Sequence, residues 1–206
     1  MTQSPPSPAL FLDRDGVINE EVGYLHKPGQ VRWVPGIFDL CRSAKDLGYK
    51  LVVVTNQAGI GRGLYTQADF DTLTSWMMNQ FADRDIPLAG VYCCPFHPEH
   101  GLGVYKREHE DRKPNPGMIL RAARDLDLDL TRSILIGDRC SDIAAARAAG
   151  LSKAFLLAGT ESAPCPHPHT PVSSLTAIAG RLSMPSCLNS SLNSSERPQR
   201  EVDNGF

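Results

Sequence analysis

The chain has 206 residues, of which 21 are basic and 23 acidic, for a formal net charge of −2. That balance excludes a protein that holds nucleic acid or membrane by bulk charge, and no apolar run reaches the length of a membrane span. The opening residues, Met-Thr-Gln-Ser-Pro-Pro-Ser-Pro, lack the basic region and apolar core of a signal peptide, which predicts a cytoplasmic protein. Six cysteines fall irregularly at 41, 93, 94, 140, 165 and 187, in a chain long enough to fold without staples, so reduced thiols are expected.

Residues 1–7 are rich in Pro and Ser and are expected to be loose. A short apolar run, Ala9-Leu10-Phe11-Leu12, then stops at two carboxylates one residue apart, Asp13 and Asp15, followed by Gly16. This is the pattern of a buried strand delivering acids to its C-terminal end. Two close carboxylates need a cation, a shared proton or full solvation, because like charges at short range oppose joint ionisation. Residues 19–35, with Gly23, Pro28, Gly29 and Pro35, read as a loop over a sheet edge. Apolar residues at 37, 40, 41, 44 and 47 follow helical spacing, and Gly48 closes that helix.

Lys50–Thr55 is a β-branched run, apolar as a parallel strand covered on both faces should be. It ends in Thr55-Asn56-Gln57, and Gly59, Gly61 and Gly63 follow as tight-turn residues that leave Arg62 available to a substrate. Thr66 is placed to cap a helix running to about Asp83. Gly90–Cys94 reads as a third strand in which the adjacent Cys93 and Cys94 are strand residues, not a redox pair. The polar insertion 95–114, with three histidines, has the length of a functional loop. Asn115 is expected to cap the next helix with Pro116 in its first turn, and apolar residues at 119, 120, 123 and 126 mark its buried side. Ser133–Asp138 is a fourth strand ending in a carboxylate, followed by a helix over 141–149 and a strand at 153–157. A Pro-rich loop around Cys165, His167 and His169, a last helix over 172–182 and a disordered Ser/Asn-rich tail at 183–206 complete the chain.

Regular alternation of strand and helix predicts an α/β fold, a doubly wound, mostly parallel sheet with helices on both faces, over one domain spanning 8–182. In such a sheet Asp13, Asp15, Thr55, Asn56, Lys113 and Asp138 converge on one edge. Carboxylates from two strands suit Mg²⁺, Thr55 offers a hydroxyl, and Lys113 a compact positive charge. That set supplies what phosphoryl transfer requires. One carboxylate can attack phosphorus while its neighbour protonates the departing alkoxide and later accepts a proton from water.

The order of elements, Asp-x-Asp-Gly, apolar strand with Thr-Asn, Lys-Pro before a helix, then Gly-Asp, resembles the haloacid dehalogenase (HAD) superfamily over residues 8–160. More narrowly, Phe-Leu-Asp-Arg-Asp-Gly, Thr-Asn-Gln-Ala-Gly-Ile-Gly-Arg-Gly and Arg-Lys-Pro-Asn-Pro-Gly-Met are similar to the heptose 1,7-bisphosphate 7-phosphatases and their histidinol-phosphatase relatives. The resemblance implies a Rossmann-like HAD core without a large cap domain. It makes Asp13 the nucleophile, Asp15 the general acid/base, Thr55 and Lys113 the phosphate holders, and Asp13, Asp138 and the backbone carbonyl of Asp15 the Mg²⁺ ligands. Arg112 and Arg139 stand at substrate-side positions. The resemblance implies removal of the 7-phosphate of a heptose 1,7-bisphosphate, a step in making lipopolysaccharide or capsule sugars, by an enzyme expected to be monomeric, with no nucleic acid or membrane partner. Histidinol phosphate is the alternative substrate.

Many members of that family hold zinc in the loop through Cys-x-His and Cys-x-Cys. Here the corresponding residues are Cys94, Phe96, His109 and Asp111. A site rearranged onto Cys94, His97, His109 and Asp111 is chemically conceivable, but Phe binds no metal and a loop held by packing and hydrogen bonds is expected. A phospho-accepting receiver domain, the non-enzymatic alternative, would need its acceptor Asp on the strand at 50–55, which ends in Thr.

Overall fold

Six strands form one sheet in the order β3-β2-β1-β4-β5-β6, and every pairing is parallel. The computed structural model describes residues 5–158 and 164–182. In chain order the strands are β1 (Ala9–Leu12), β2 (Lys50–Asn56), β3 (Leu88–Cys94), β4 (Ile134–Gly137), β5 (Lys153–Leu157) and β6 (Thr170–Val172). Strand β1 lies at the centre, paired with β2 on one side and β4 on the other. The chain order reverses there, which opens a crevice at the carboxyl ends of these strands.

Alternate residues of each strand enter opposite layers. Leu10, Leu12, Val53 and Ile136 pack under α1 (Ile37–Asp46), α3 (Gln67–Ala82) and α6 (Leu175–Ala179), joined by Leu40, Phe81 and Ile178. Phe11, Val52, Val54 and Leu135 pack under α4 (Gly117–Leu126) and α5 (Cys140–Ala148), joined by Ile119, Ala122 and Ile143. The central strands are thus covered on both faces, which explains why they read as unbroken apolar runs. Thr66 caps α3 as expected, with its hydroxyl accepting from the Asp69 amide and the Asp69 carboxylate answering the Thr66 N–H.

Several local expectations are corrected. A short helix, α2 (Ala58–Gly61), occupies the glycine-rich stretch; a Cβ at Gly61 would lie 2.2 Å from the Pro95 carbonyl oxygen, so close packing accounts for that glycine. Helix α4 starts one residue later than predicted: Pro116 is its N-cap, and the Asn115 side chain instead donates to the His109 carbonyl at 3.0 Å. Its buried residues are Met118, Ile119 and Ala122, whereas Leu120 is exposed, so the stripe facing the sheet runs through 118, 119 and 122. The helix expected over 172–182 is the shorter α6, preceded by an unexpected strand, β6, that ends at Val172. Pro171 is compatible with β6 because that strand lies at the sheet edge. Ser7, expected to be loose, exchanges backbone hydrogen bonds with Asp127 and Asp129 at 3.1 and 2.9 Å. The predicted tail 183–206 and residues 1–4 lie outside the described residues.

The thiols are also corrected. Cys140 and Cys165 form a disulfide that ties the start of α5 to the segment before β6. The two are 25 residues apart in sequence, and the parallel crossover through β5 brings them together. Cys41, Cys93 and Cys94 are free. Closing a loop of that length constrains the unfolded chain, so reduction of this bond is expected to lower the unfolding free energy by roughly 3 kcal/mol. Urea unfolding with and without reductant, against a Cys140→Ser/Cys165→Ser control that should not respond, checks it.

Candidate active site

The loop after β1 is built around Asp13 and Asp15. The Asp13 amide continues the ladder onto Ile136 O at 3.0 Å, and the chain then turns as Ile18 N–H and Asn19 N–H both donate to Arg14 O. Gly16 makes that turn with φ +89°, and a Cβ there would lie 2.3 Å from Asp138 Oδ2. No other residue type allows the loop to approach Asp138 this closely.

Asp13, Lys113, Asp138 and Asp142 form a buried charge cluster at the ends of β1 and β4. Lys113 Nζ sits 2.9 Å from Asp13 Oδ1 and 2.5 Å from Asp142 Oδ1, and donates to the Val54 carbonyl at 2.9 Å. These contacts place the ammonium between two carboxylates and a carbonyl. Lys113, expected to hold phosphate, is also the counter-charge to Asp13 in this structure. Burial opposes the charge on Lys113, but Asp13 and Asp142 outweigh it and hold the ammonium above its ordinary range.

Asp13 is pushed up to about 7, first by burial and then by Asp142 and Asp138, against the opposing pull of Lys113. Asp138 is raised to about 6, by burial and Asp142, with Arg139 and Lys113 opposing. One lysine does not compensate three buried carboxylates. Asp13, Asp138 and Asp142 each place a carboxylate oxygen within 4.8 Å of the others, the one such group among the described residues. Asp138 Oδ1 is buried with no hydrogen-bond partner. Surplus negative charge, hard oxygen donors and an orphaned carboxylate oxygen fit a magnesium ion.

Asp15 points away from this cluster. Arg14 grips it with Nε at 3.1 Å from Oδ1 and an Nη2 that lies 3.0 Å from Oδ1 and 2.7 Å from Oδ2, while Asn19 Nδ2 adds a bond to Oδ1 at 2.9 Å. Its side chain is not part of the Asp13, Asp138 and Asp142 group.

A cleft of about 760 Å³ opens over these groups, lined by Asp13, Asp15, Thr55, Asn56, Arg62, Arg112, Lys113 and Arg139 among others. All eight were singled out by the sequence. The Asn56 amide side chain clasps the Lys113 backbone, donating to O and accepting from N–H, both at 3.1 Å. Arg62 lies over the Tyr24 ring and bonds its hydroxyl. Arg112 donates to the Phe96 carbonyl at 3.0 Å, and Arg139 pairs with Glu21 at 3.2 Å. Asp142, Gln57, Arg14 and Asn19 were missed. The available signal for Asp142 was an acid in the first turn of the helix that follows a strand-end Asp, where it also accepts from the Arg139 N–H at 3.0 Å.

The loop that the resemblance associates with zinc does not fit a metal in this chain. Phe96 stacks on His109 with ring centres 4.1 Å apart, the Arg107 guanidinium lies over the Phe96 ring at 4.5 Å, and Asp111 pairs with Arg121 at 2.9 Å. His109 Nδ1 accepts from the Asp111 N–H, and His97 Nδ1 from the amides of Glu99 and His100. Burial pushes the Cys94 thiol up to about 11. Stacking and ion pairing give this loop its shape.

The HAD-hydrolase-like family model matches residues 111–178. A D-glycero-alpha-D-manno-heptose-1,7-bisphosphate 7-phosphatase of Burkholderia mallei is 55% identical over 149 residues, covering 72% of this chain and 79% of that protein. The D-glycero-beta-D-manno-heptose-1,7-bisphosphate 7-phosphatase of Vibrio cholerae is 45% identical over 150 residues, covering 73% and 81%. Among solved structures, a D,D-heptose 1,7-bisphosphate phosphatase from B. bronchiseptica, complexed with magnesium and phosphate, superposes with a TM-score of 0.73 at 26% identity, covering 84% of this chain and 97% of that one. No helix among the described residues is long and apolar enough to cross a membrane. With its parallel sheet, its strand-end carboxylates and relatives at this level of identity, the chain belongs to the HAD superfamily of phosphatases, in the heptose-bisphosphate phosphatase family.

Proposed function

We propose that this phosphatase hydrolyses its substrate through an aspartyl-phosphate on Asp13, with Asp15 as proton carrier, and that it removes the 7-phosphate of D-glycero-D-manno-heptose 1,7-bisphosphate. The observation that carries the mechanism is the buried Asp13 carboxylate, held at one oxygen by Lys113 and the Arg14 N–H at 2.9 and 2.8 Å, facing an open cleft. Lys113 and the amide fix the orientation of the carboxylate, so it is positioned before substrate arrives.

An Asp13 carboxylate oxygen forms a bond to phosphorus as the phosphorus–oxygen bond to the sugar breaks. Asp15 gives its proton to the departing alkoxide. Water then attacks the acyl-phosphate, Asp15 takes the water proton, and inorganic phosphate leaves with Asp13 regenerated. Thr55 offers a hydroxyl to the phosphoryl oxygens. Asp13, Asp138 and the Asp15 carbonyl would hold magnesium, which when bound supplies positive charge against the phosphoryl oxygens. Three arginines of the cleft lining, Arg62, Arg112 and Arg139, suit a substrate carrying a second phosphate. The names of the relatives support the heptose reading.

The test is phosphate release with Mg²⁺ from heptose 1,7-bisphosphate, histidinol phosphate and other sugar phosphates, with both anomers of the heptose compared. The heptose bisphosphate is expected to have the highest kcat/KM. Preference for histidinol phosphate would replace the substrate assignment and leave the mechanism standing.

A further inference from the structure

Asp15 must hold a proton at one moment and lack it at the next, so its carboxylate must keep one position through the cycle. On its Oδ2 side that position is set by Arg14 Nη2 at 2.7 Å together with Gln57. The Gln57 Nε2 donates to Asp15 Oδ2 at 3.0 Å and to Thr55 Oγ1 at 2.8 Å. Gln57 is 2% exposed, so water does not compete for these bonds. One amide nitrogen therefore ties the proton carrier to the residue beside the phosphoryl site.

An amide can face either way, and something must keep its nitrogen toward Asp15. The Tyr65 hydroxyl does this, because it donates to Gln57 Oε1. With the amide reversed, Oε1 would face the Asp15 carboxylate, acceptor against acceptor, and the Tyr65 proton would have no oxygen to meet. The Tyr65 ring is itself fixed. His26 stacks on it at 5.5 Å between ring centres, and a Cβ at Gly59 would lie 2.2 Å from its edge. Burial pushes the Tyr65 phenol up to about 12, so the hydroxyl stays a donor across the working range.

We infer that Tyr65 and Gln57 are positioning residues for proton transfer: Tyr65 sets the direction of the Gln57 amide, and Gln57 holds Asp15 where it meets the leaving oxygen. This rests on the reading of Asp15 as proton carrier given above. Neither side chain reaches the reacting atoms in this role; each acts through Asp15.

The experiment compares two leaving groups by kcat/KM, which covers the steps through alcohol departure. A sugar alkoxide needs protonation as it leaves, and p-nitrophenolate does not. Asp15→Asn is the reference and should lose activity on the sugar phosphate by about a hundredfold or more, with a far smaller loss on p-nitrophenyl phosphate. Tyr65→Phe, which keeps the ring, and Gln57→Met should each lose about tenfold on the sugar phosphate and less than about twofold on the aryl phosphate. Equal losses on both substrates, the result of a merely structural role, or no loss on either, would overturn the inference. If Asp15→Asn itself shows no selectivity, the proton-carrier reading fails instead, and the two failures are thereby distinguished.

Discussion

Lys113→Met is expected to be among the most damaging single substitutions to both stability and activity. Its ammonium is the shared partner of Asp13 and Asp142, all three groups being buried. Met preserves much of the volume, so the effect isolates the charge. Removing one side of a buried charge network leaves the others uncompensated, at a cost of roughly 3–5 kcal/mol near neutral pH. Because the remaining carboxylates escape the penalty by taking up protons, the loss should shrink as the pH is lowered to about 5. Phosphate release should fall by about a thousandfold or more, since Asp13 loses both orientation and the charge that keeps it ionised. Urea unfolding of wild type and variant at both pH values, with parallel phosphate-release assays, checks these outcomes. A variant as stable as wild type at neutral pH would show that the cluster is compensated in some other way.

Asp138→Asn has the opposite effect on metal-free stability. Asp13 and Asp138 have folded values of about 7 and 6, both raised from 3.8, chiefly by burial. A raised carboxyl contributes stability that is present below its unfolded value and is lost as pH rises through the folded value. The metal-free protein should therefore lose stability between about pH 4 and pH 7, and Mg²⁺ should restore it most strongly at the upper end. Asp138→Asn removes one of the crowded charges. It should raise metal-free stability at neutral pH by roughly 1–3 kcal/mol, abolish most of the Mg²⁺-dependent rise in Tm, and lower phosphate release by about a thousandfold. Calorimetry across this pH range, with and without Mg²⁺, reads all but the last. A variant less stable than wild type without metal would contradict the charge account. A site that destabilises its own fold until charge is supplied is the cost of holding three carboxylates together for catalysis.

How far this was legible in the sequence depended on where each residue sits. Asp13, Thr55 and Asp138 each follow an apolar strand run, and a parallel sheet necessarily brings strand ends to one edge. Their convergence could be read without coordinates. Asp142 sits inside a helix and resembles an ordinary first-turn acid; only the position of Lys113, 29 residues earlier and on another connection, reveals its second partner. Gln57 and Tyr65 look like a loop amide and a packing aromatic, and their link to Asp15 depends on how α2 turns the chain back. The Cys140–Cys165 bond spans a crossover whose geometry no spacing rule encodes. Strand β6 is short and contains a proline, so both its length and its composition concealed it.

The claim that joins fold to chemistry is that the C-terminal end of the central strand carries the phosphoryl group covalently. It is tested by mixing the enzyme with Mg²⁺ and heptose 1,7-bisphosphate, quenching in acid within the first turnovers, and locating phosphate by peptide mass spectrometry. A transient acyl-phosphate is expected on the peptide containing Asp13, absent from Asp13→Asn, which should also release phosphate at less than about a thousandth of the wild-type rate. Turnover with no phosphate on Asp13 at any time point, together with wild-type phosphate release by Asp13→Asn, would contradict it.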